Sequence, residues 1–290
     1  MNVTLLAVGD NVVDRYPDLG VFYPGGNAVN VAVHGRRCGA STAYIGALGS
    51  DLAGRTVLDA LVAEGVDTSM LKMVEGANAH AEVRVVDGNR VFEHGDPGVS
   101  RFRLTAADYS AVAAATIVHT GECSMVEDQL AELSAAAPRL SFDFSERPLD
   151  YIAEHAPFVD VAIRSLPSVA DQADDAIAEA IDQARLIQAL GPRLVAVTMG
   201  AGGAVVLDGE RVVHAPAPPT AVVDTLGAGD AFIARLLTGL IRDEPLTTLV
   251  GAATAFASHT CTTFGAFGYE TSLVHLTAQL NPIHKGVDLS

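Results

Sequence analysis

Asp224-Thr225-Leu226-Gly227-Ala228-Gly229-Asp230 stands at the head of an apolar run, Ala231-Phe232-Ile233-Ala234-Arg235-Leu236-Leu237. The β-branched pair Val222-Val223 precedes it and two glycines flank Ala228. The stretch therefore reads as a strand that runs into a tight turn and then a helix. Such a turn presents unpaired backbone N–H groups at the positive end of a helix, which is a site for an anion. Asp230 falls in the first helical turn, beside whatever the amides hold. A carboxylate is poorly suited to a loop that only binds phosphate, because like charges repel. It suits a loop in which it takes a proton from an attacking hydroxyl while the amides steady a transferred phosphoryl group. An aspartate that merely complements its helix dipole is the plainer reading, and these residues alone weigh the two about equally.

The surrounding chain bounds the choice. A length of 290 residues allows one large α/β domain, or a main domain with a small appendage. Hydrophobic content of 49% with 18% charged residues supports a substantial core. No window reaches the ~18 consecutive apolar residues of a membrane span. Met1-Asn2-Val3-Thr4-Leu5-Leu6 lacks a basic region, so no signal peptide is expected. Cys38, Cys123 and Cys261 are odd in number and widely spaced. They read as buried free thiols in a reducing compartment, which places the chain in the cytoplasm. The formal net charge of −17 argues against a nucleic-acid partner, whose phosphates need basic patches. Lysine occurs only at 72 and 285, and neither follows a glycine-rich loop, which excludes a GxxxxGK phosphate loop. Positive charge for a nucleotide must then come from backbone amides, Mg²⁺ and a few arginines.

Val3–Gly9 reads as a buried parallel strand, and residues just beyond such a strand face the ligand crevice of an open sheet. Asp10, Asn11 and Asp14 fall there, where carboxylates and an amide suit sugar hydroxyls, or serve as ordinary turn residues. Gly25, Gly26 and Asn27 open a helix through Gly39; the glycines allow close approach of a ligand, or simply make a joint. His34 and Arg36-Arg37 decorate that helix. Ser41–Leu48 is the next strand, followed by an amphipathic helix over Asp51–Glu64. Ala79–Val86 and Arg90–His94 alternate apolar and polar residues about Asp87-Gly88-Asn89, a hairpin with one wet face. With the excursion after residue 12, it reads as a small flap that can exclude water from a cleft or pair with a second copy of the chain. His94 and Asp96 fall in what reads as a solvated loop.

From Thr105 a helix–strand alternation resumes. Thr105-x-x-Asp108 and Ser124-x-x-Glu127 read as helix starts, and Thr116–Thr120, Arg139–Phe144, Val159–Ile163 and Leu194–Met199 as strands. A long acidic helix covers Asp171–Leu190, and Gly203–Asp208 with Arg211–Ala215 forms a second hairpin. Thr198, Gly200 and Gly203 end one strand where glycines can lie along phosphates or ribose, or form a plain turn. Ala252–His259 is a helix of small residues that packs closely or leaves room for a flat base.

Four features occur together and in order: Gly9-Asp10-Asn11 with Asp14; Gly25-Gly26-Asn27; Thr198-x-Gly200-x-x-Gly203; and Asp224-Thr225-x-Gly227-Ala228-Gly229-Asp230. In these the chain resembles the ribokinase-like (PfkB) family of carbohydrate kinases over nearly all its length. The resemblance implies one α/β domain over residues 1–290: a three-layer α/β/α sandwich with a mostly parallel sheet. It also implies a small β-lid formed by about 12–24 and 77–103. It implies ATP-dependent transfer of the γ-phosphoryl group to a sugar hydroxyl, with Mg²⁺. Carried over, Asp230 is the base, and the amides of Gly227, Ala228 and Gly229 form the anion hole. Asp14, Gly26 and Asn27 hold the sugar, with Asp10, Asn11 and Gly25 beside them. Thr198, Gly200, Gly203 and Thr225 lie along the nucleotide, with Ala255 and Ser258 near the base.

Within the family, Gly9–Pro17, Gly26–Val33, Phe142-Asp143-Phe144-Ser145 and Gly265-Ala266-Phe267 are most similar to the fructoselysine 6-kinases. Those enzymes phosphorylate, at the 6-hydroxyl, a fructose that carries an amino acid on C1. One departure stands out. The family often places Asn-x-x-Glu after a middle strand to order Mg²⁺, whereas the matching position reads Ser165-Leu166-Pro167-Ser168. Mg²⁺ is then expected mainly on ATP phosphates and water, with Asp143 as a candidate ligand. A kinase for plain fructose, ribose or a nucleoside is the alternative within the class. A nucleotide- or sugar-binding regulator without catalysis is the alternative outside it, disfavoured by Asp230. A dinucleotide dehydrogenase needs G-x-G-x-x-G opening a helix and fails at Phe232.

Overall fold

The computed structural model describes residues 4–86, 89–167 and 174–280. The chain opens with β1 (Leu5–Val8), turns through β2 (Val12–Tyr16) and β3 (Val21–Gly25), and enters α1 (Asn27–Arg37). β4 (Thr42–Ile45), β5 (Ala47–Gly49), α2 (Leu52–Ala63) and β6 (Lys72–Val74) follow, then β7 (His80–Val86) and β8 (Asn89–Asp96). The alternation resumes with α3 (Ala106–Ala114), β9 (Ile117–Gly121), α4 (Leu130–Ala136), β10 (Leu140–Asp143), α5 (Leu149–His155) and β11 (Val161–Ser165). Next come α6 (Asp174–Gln188), β12 (Leu194–Thr198), β13 (Ala204–Asp208) and β14 (Arg211–Ala215). The chain closes with α7 (Ala228–Ile241), α8 (Leu246–Thr260), β15 (Thr271–Ser272) and α9 (Leu273–Leu280).

Eight strands form the central sheet in the order β14-β13-β12-β11-β10-β9-β1-β4. The pairs from β4 to β12 are parallel, and the β12-β13-β14 edge is antiparallel. Strands such as Leu5-Leu6-Ala7-Val8 are buried on both faces because helices cover both sides, which is why they read as continuous apolar runs. One core unites α3, α4, α5 and α6 residues such as Val112, Leu133, Ile152 and Ile187 with the sheet. On the opposite face Val31, Phe232, Leu236 and Leu249 of α1, α7 and α8 form the second. The result is a three-layer α/β/α sandwich. A separate sheet, β15-β3-β2-β7-β8, stands off α1 and α2 and shares a third core with them. Residues 12–24 and 77–103, read from the sequence as a lid, supply four of its strands.

The structure also corrects the sequence reading. Val222-Val223 is not a strand. It is an exposed segment with Val223 N bonded to Cys261 O, because the sheet already ends at β14. Ser41–Leu48 is two strands, broken at Gly46, where a Cβ would stand 2.0 Å from Tyr44 Oη. Only the first strand joins the central sheet. Ser124 does not start a helix: two short 3₁₀ turns follow β9, and α4 begins at Leu130. His34 is 2% exposed rather than decorating α1. His94 and Asp96 lie on β8, not in a loop. Of the thiols, Cys261 alone is buried; Cys38 is half-buried and Cys123 exposed. Asp87-Gly88, Ser168 and the expected helix start at Asp171 lie outside the described residues. Among the described residues no helix is long and apolar enough to cross a membrane.

Candidate active site

The helix α7 starts from a glycine for a geometric reason. Gly227 has φ 75°, and a Cβ there would lie 2.6 Å from Ala266 Cβ. The first i→i−4 bond runs from Ala231 N to Gly227 O at 2.8 Å, so the amides of 227–230 precede the helical ladder. Ala228 N makes a long bond of 3.3 Å to Thr225 O. Gly229 is exposed, and apart from its chain neighbours and its own helix backbone no heavy atom lies within 4 Å of where its Cβ would stand. The turn is held from below by Asp224, which is fully buried. Its Oδ1 accepts from Leu226 N at 2.9 Å, and its Oδ2 from Gly265 N at 3.1 Å and Tyr16 Oη at 2.6 Å. A single carboxylate thus ties the anion turn to the small sheet.

Asp230 projects from the first turn of α7 onto α1. Its Oδ1 accepts from Asn27 Nδ2 at 2.8 Å and its Oδ2 from Asn30 Nδ2 at 2.6 Å. Residues three apart share a helix face, so one side of α1 brackets both carboxylate oxygens. The start of α1 is positioned in turn by Asp10. Its oxygens accept from Asn27 N (2.8 Å), Ala28 N (3.2 Å) and Ser124 Oγ (3.0 Å). Gly26 permits this with φ 107°, where a Cβ would lie 2.7 Å from Asn11 Cα. Gly25 makes room for the buried Asp14, since its Cβ would fall 2.3 Å from Asp14 Oδ2. Asn11 is 1% exposed, with Nδ2 bonded to Ala47 O at 2.6 Å and Tyr44 Oη at 3.2 Å. The structure therefore gives Asp10 and Asn11 protein partners, and brings Asn27 directly to Asp230.

Asp143, at the end of β10, completes the cluster. Its Oδ2 accepts from Asn27 Nδ2 at 3.0 Å and its Oδ1 from Ser145 N at 2.8 Å. Burial, and then the charge of Asp230, push its carboxyl up to about 7. Burial also raises Asp10, against the hydrogen bonds it accepts. Asn27 Oδ1 lies 3.1 Å from Nε2 of the fully buried His119, which burial pushes down to about 3. The arrangement concentrates negative charge beside an open, amide-rich turn. Among the described residues no group of three or more acidic, histidine or cysteine side chains is arranged to hold a metal.

The residues expected along the nucleotide lie at the antiparallel edge. Thr198 Oγ1 and Ser165 Oγ share a bond of 3.1 Å, Gly200 (φ 56°) is exposed, and a Cβ on Gly203 would meet Ala215 O at 2.1 Å. Ala255 (exposed) and Ser258 (half-buried) lie on α8, which packs on β13 and β14. Asn30, Ser124, Asp143's tie to Asn27, His119 and the buried Asp224 complete the picture beyond the residues singled out as sugar ligands. Of these, Asp224 heads the motif that opens the sequence reading, Asp143 was a candidate metal ligand, Ser124 was read as a helix start and Asn30 had its i+3 spacing from Asn27; His119 carried no signal.

An α/β/α sandwich with a separate small sheet carries this site, and the match of the chain to a family of carbohydrate kinases makes it a phosphotransferase acting on a sugar. Residues 3–271 match the pfkB family of carbohydrate kinases, and the chain belongs to that family. Among its relatives, the fructosamine kinase FrlD of Bacillus subtilis (strain 168) is 37% identical over 271 residues, covering 91% of this chain and 93% of the relative. A fructoselysine 6-kinase of Escherichia coli (strain K12) is 35% identical over 268 residues, covering 91% and 99%. The structure of Arabidopsis thaliana ribokinase complexed with ribose and ATP superposes with a TM-score of 0.76 at 22% identity, covering 92% of this chain and 95% of that one. The fold is ribokinase-like.

Proposed function

We propose that this chain is a cytoplasmic ATP-dependent fructosamine kinase that transfers the γ-phosphoryl group to the 6-hydroxyl of a fructose bearing an amine on C1, such as fructoselysine. The observation that carries the reading is Asp230, bracketed by Asn27 at 2.8 Å and Asn30 at 2.6 Å beside the open ground at Gly229. Asp230 is the carboxylate that takes the hydroxyl proton, while the two amides fix its aim. The amides of Gly227, Ala228 and Gly229 meet the charge that develops on the transferred group. Asp14 and Gly26 hold the sugar against the small sheet, which acts as a lid that excludes water, while Asn27 stands beside it with its amide engaged by Asp230, Asp143 and His119. Thr198, Gly200, Gly203, Thr225, Ala255 and Ser258 line the nucleotide. Mg²⁺ supplies charge neutralisation on the phosphates. It rides on ATP and water rather than in a protein cage, since Asp143 is turned to Asn27 and Ser145 and Ser165 to Thr198. The net charge of −17 favours an amine-bearing substrate over an anionic one. Two copies pair through the lid at β8, the edge strand of its sheet.

The substrate class is supported by the two relatives named above. A coupled ADP-release assay over fructoselysine, other fructosamines, fructose, ribose and nucleosides tests it, with ³¹P–¹H correlation to place the ester. The expected result is the highest kcat/KM on fructosamines and a phosphate on C6. Equal or better turnover of fructose or ribose would reduce the chain to a plain sugar kinase. No turnover of any acceptor would overturn the catalytic reading in favour of a binding protein.

A further inference from the structure

An amide has two unlike ends, and Asn27 uses both. Its Nδ2 serves Asp230 at 2.8 Å and Asp143 at 3.0 Å, two acceptors for two hydrogens. Its Oδ1 then needs a donor, and the group in reach is His119 Nε2 at 3.1 Å. A rotated amide would turn its oxygen on two carboxylates and its NH₂ on the ring, so the arrangement works in one sense only. An amide oxygen only accepts, so the proton that meets it must sit on Nε2, and the far side of the imidazole has to tolerate a bare Nδ1. There Nδ1 lies 3.1 Å from Ser141 Oγ, and a hydroxyl that donates to Nδ1 leaves the proton on Nε2. The contact is built by the sheet: His119 and Ser141 are direct register partners on parallel β9 and β10. Two residues further along β9, on the same face, Gly121 leaves the space the amide occupies; a Cβ there would stand 2.9 Å from Asn27 Oδ1.

We propose that His119 is a positioning residue: as a neutral imidazole protonated on Nε2, with the Ser141 hydroxyl free to donate to its Nδ1, it locks the Asn27 amide in the sense that presents NH₂ to Asp230 and Asp143. The ring is 0% exposed, so it is shielded from bulk water, and burial keeps it neutral. The charged and titratable groups gathered about the amide are Asp10 beyond β1, Asp143 on β10, Asp230 on α7 and, toward Asp143, Glu122 after β9. All are acidic, so an amide free to turn would be pulled to whichever carboxylate is ionised, and the aim of Asp230 would be lost.

The inference rests on the kinase reading of Asp230, but one of its tests does not. In the intact chain labelled with ¹⁵N-histidine, His119 is expected as the Nε2–H tautomer at neutral pH. An imidazolium or an Nδ1–H ring in the wild type would overturn the lock. In the kinase assay His119→Leu, which keeps bulk but has no donor, should lower kcat roughly 10–100-fold, the cost of a misaimed group, with KM for ATP within about twofold. His119→Gln, whose amide can donate to the same oxygen, should recover most of the loss. A folded His119→Leu with wild-type kcat, or with a rise in KM alone, overturns the proposal. Should His119→Leu fail to fold, His119→Phe replaces it in the comparison with His119→Gln: a fall in kcat in the Phe variant that the Gln variant avoids supports the lock, and equal kcat in the two sinks it. An Nε2–H ring in a chain that phosphorylates no sugar supports the lock and overturns the kinase reading.

Discussion

Asp143 and His119 sit on neighbouring strands, yet burial moves their protons in opposite directions. An unfolded aspartate loses its proton near ~4, while Asp143 keeps it up to about 7. Between those values the native chain binds more protons than the unfolded one, so this group makes stability fall as pH rises. His119, pushed down to about 3, and His34, pushed down to about 4 by burial and Arg37, act with the other sign. They stay neutral while unfolded histidines charge below ~6.5, so their contribution falls as pH falls. Over the shared window the effects oppose one another. Asp143→Asn removes only the first, so its Tm should drop more steeply than the wild type's between about pH 6.5 and 4.5. Parallel profiles would mean that Asp143 is ionised throughout. Asp230 and its glycines were legible in the sequence because turn, charge and helix start are adjacent there. His119 was not, because a histidine within Ile117-Val118-His119-Thr120 says nothing of a partner 92 residues away.

At the scale of elements, the site is two helix starts facing each other, and each is set by a carboxylate from elsewhere. Asp10 caps α1 from the end of β1, and Asp224 fastens the turn before α7 to Tyr16 of β2. The glycines of that turn have different tasks, which substitution separates. Gly227→Ala meets both a positive φ and the Ala266 Cβ at 2.6 Å, so it should lower Tm. Gly229→Ala meets no atom beyond its own helix backbone and chain neighbours, so it should fold normally and fill the open ground instead, raising KM for ATP several-fold at near-native Tm. A Gly229→Ala enzyme with unchanged KM would remove the open ground from the phosphate path. Helices α1, α2, α3 and α7 were legible from periodicity and caps, whereas Ser124-x-x-Glu127 misplaced the start of α4. The strand expected at Val222-Val223 was not there, because β-branched residues suit a sheet only where a neighbour remains to pair, and β14 already closes that edge. The two-residue β15 gives no pattern long enough to read.

The whole molecule was legible as an α/β domain with a flap because buried parallel strands must be apolar on both faces, while the small sheet, wet on one side, alternates; the three-layer sandwich was implied by the resemblance to the PfkB family. Sheet order is less open to sequence reading: β1 lies between β9 and β4, and nothing in Leu5-Leu6-Ala7-Val8 names those neighbours. The lid leaves Val91 (45% exposed) and Phe92 (55% exposed) on its edge strand β8. If two copies pair there, the wild type should elute as a dimer and Phe92→Glu as a monomer in sedimentation or light scattering; a monomeric wild type would remove the lid from that role. The purpose of the architecture, on this account, is to carry α1 and α7 to one point, where two amides aim one carboxylate at a hydroxyl beside main-chain donors. Asp230→Asn, which keeps the size and shape of the side chain, tests that most directly. Its kcat on the preferred sugar should fall roughly 10²–10⁴-fold, with ATP binding by calorimetry retained. Turnover at the wild-type rate would contradict the account.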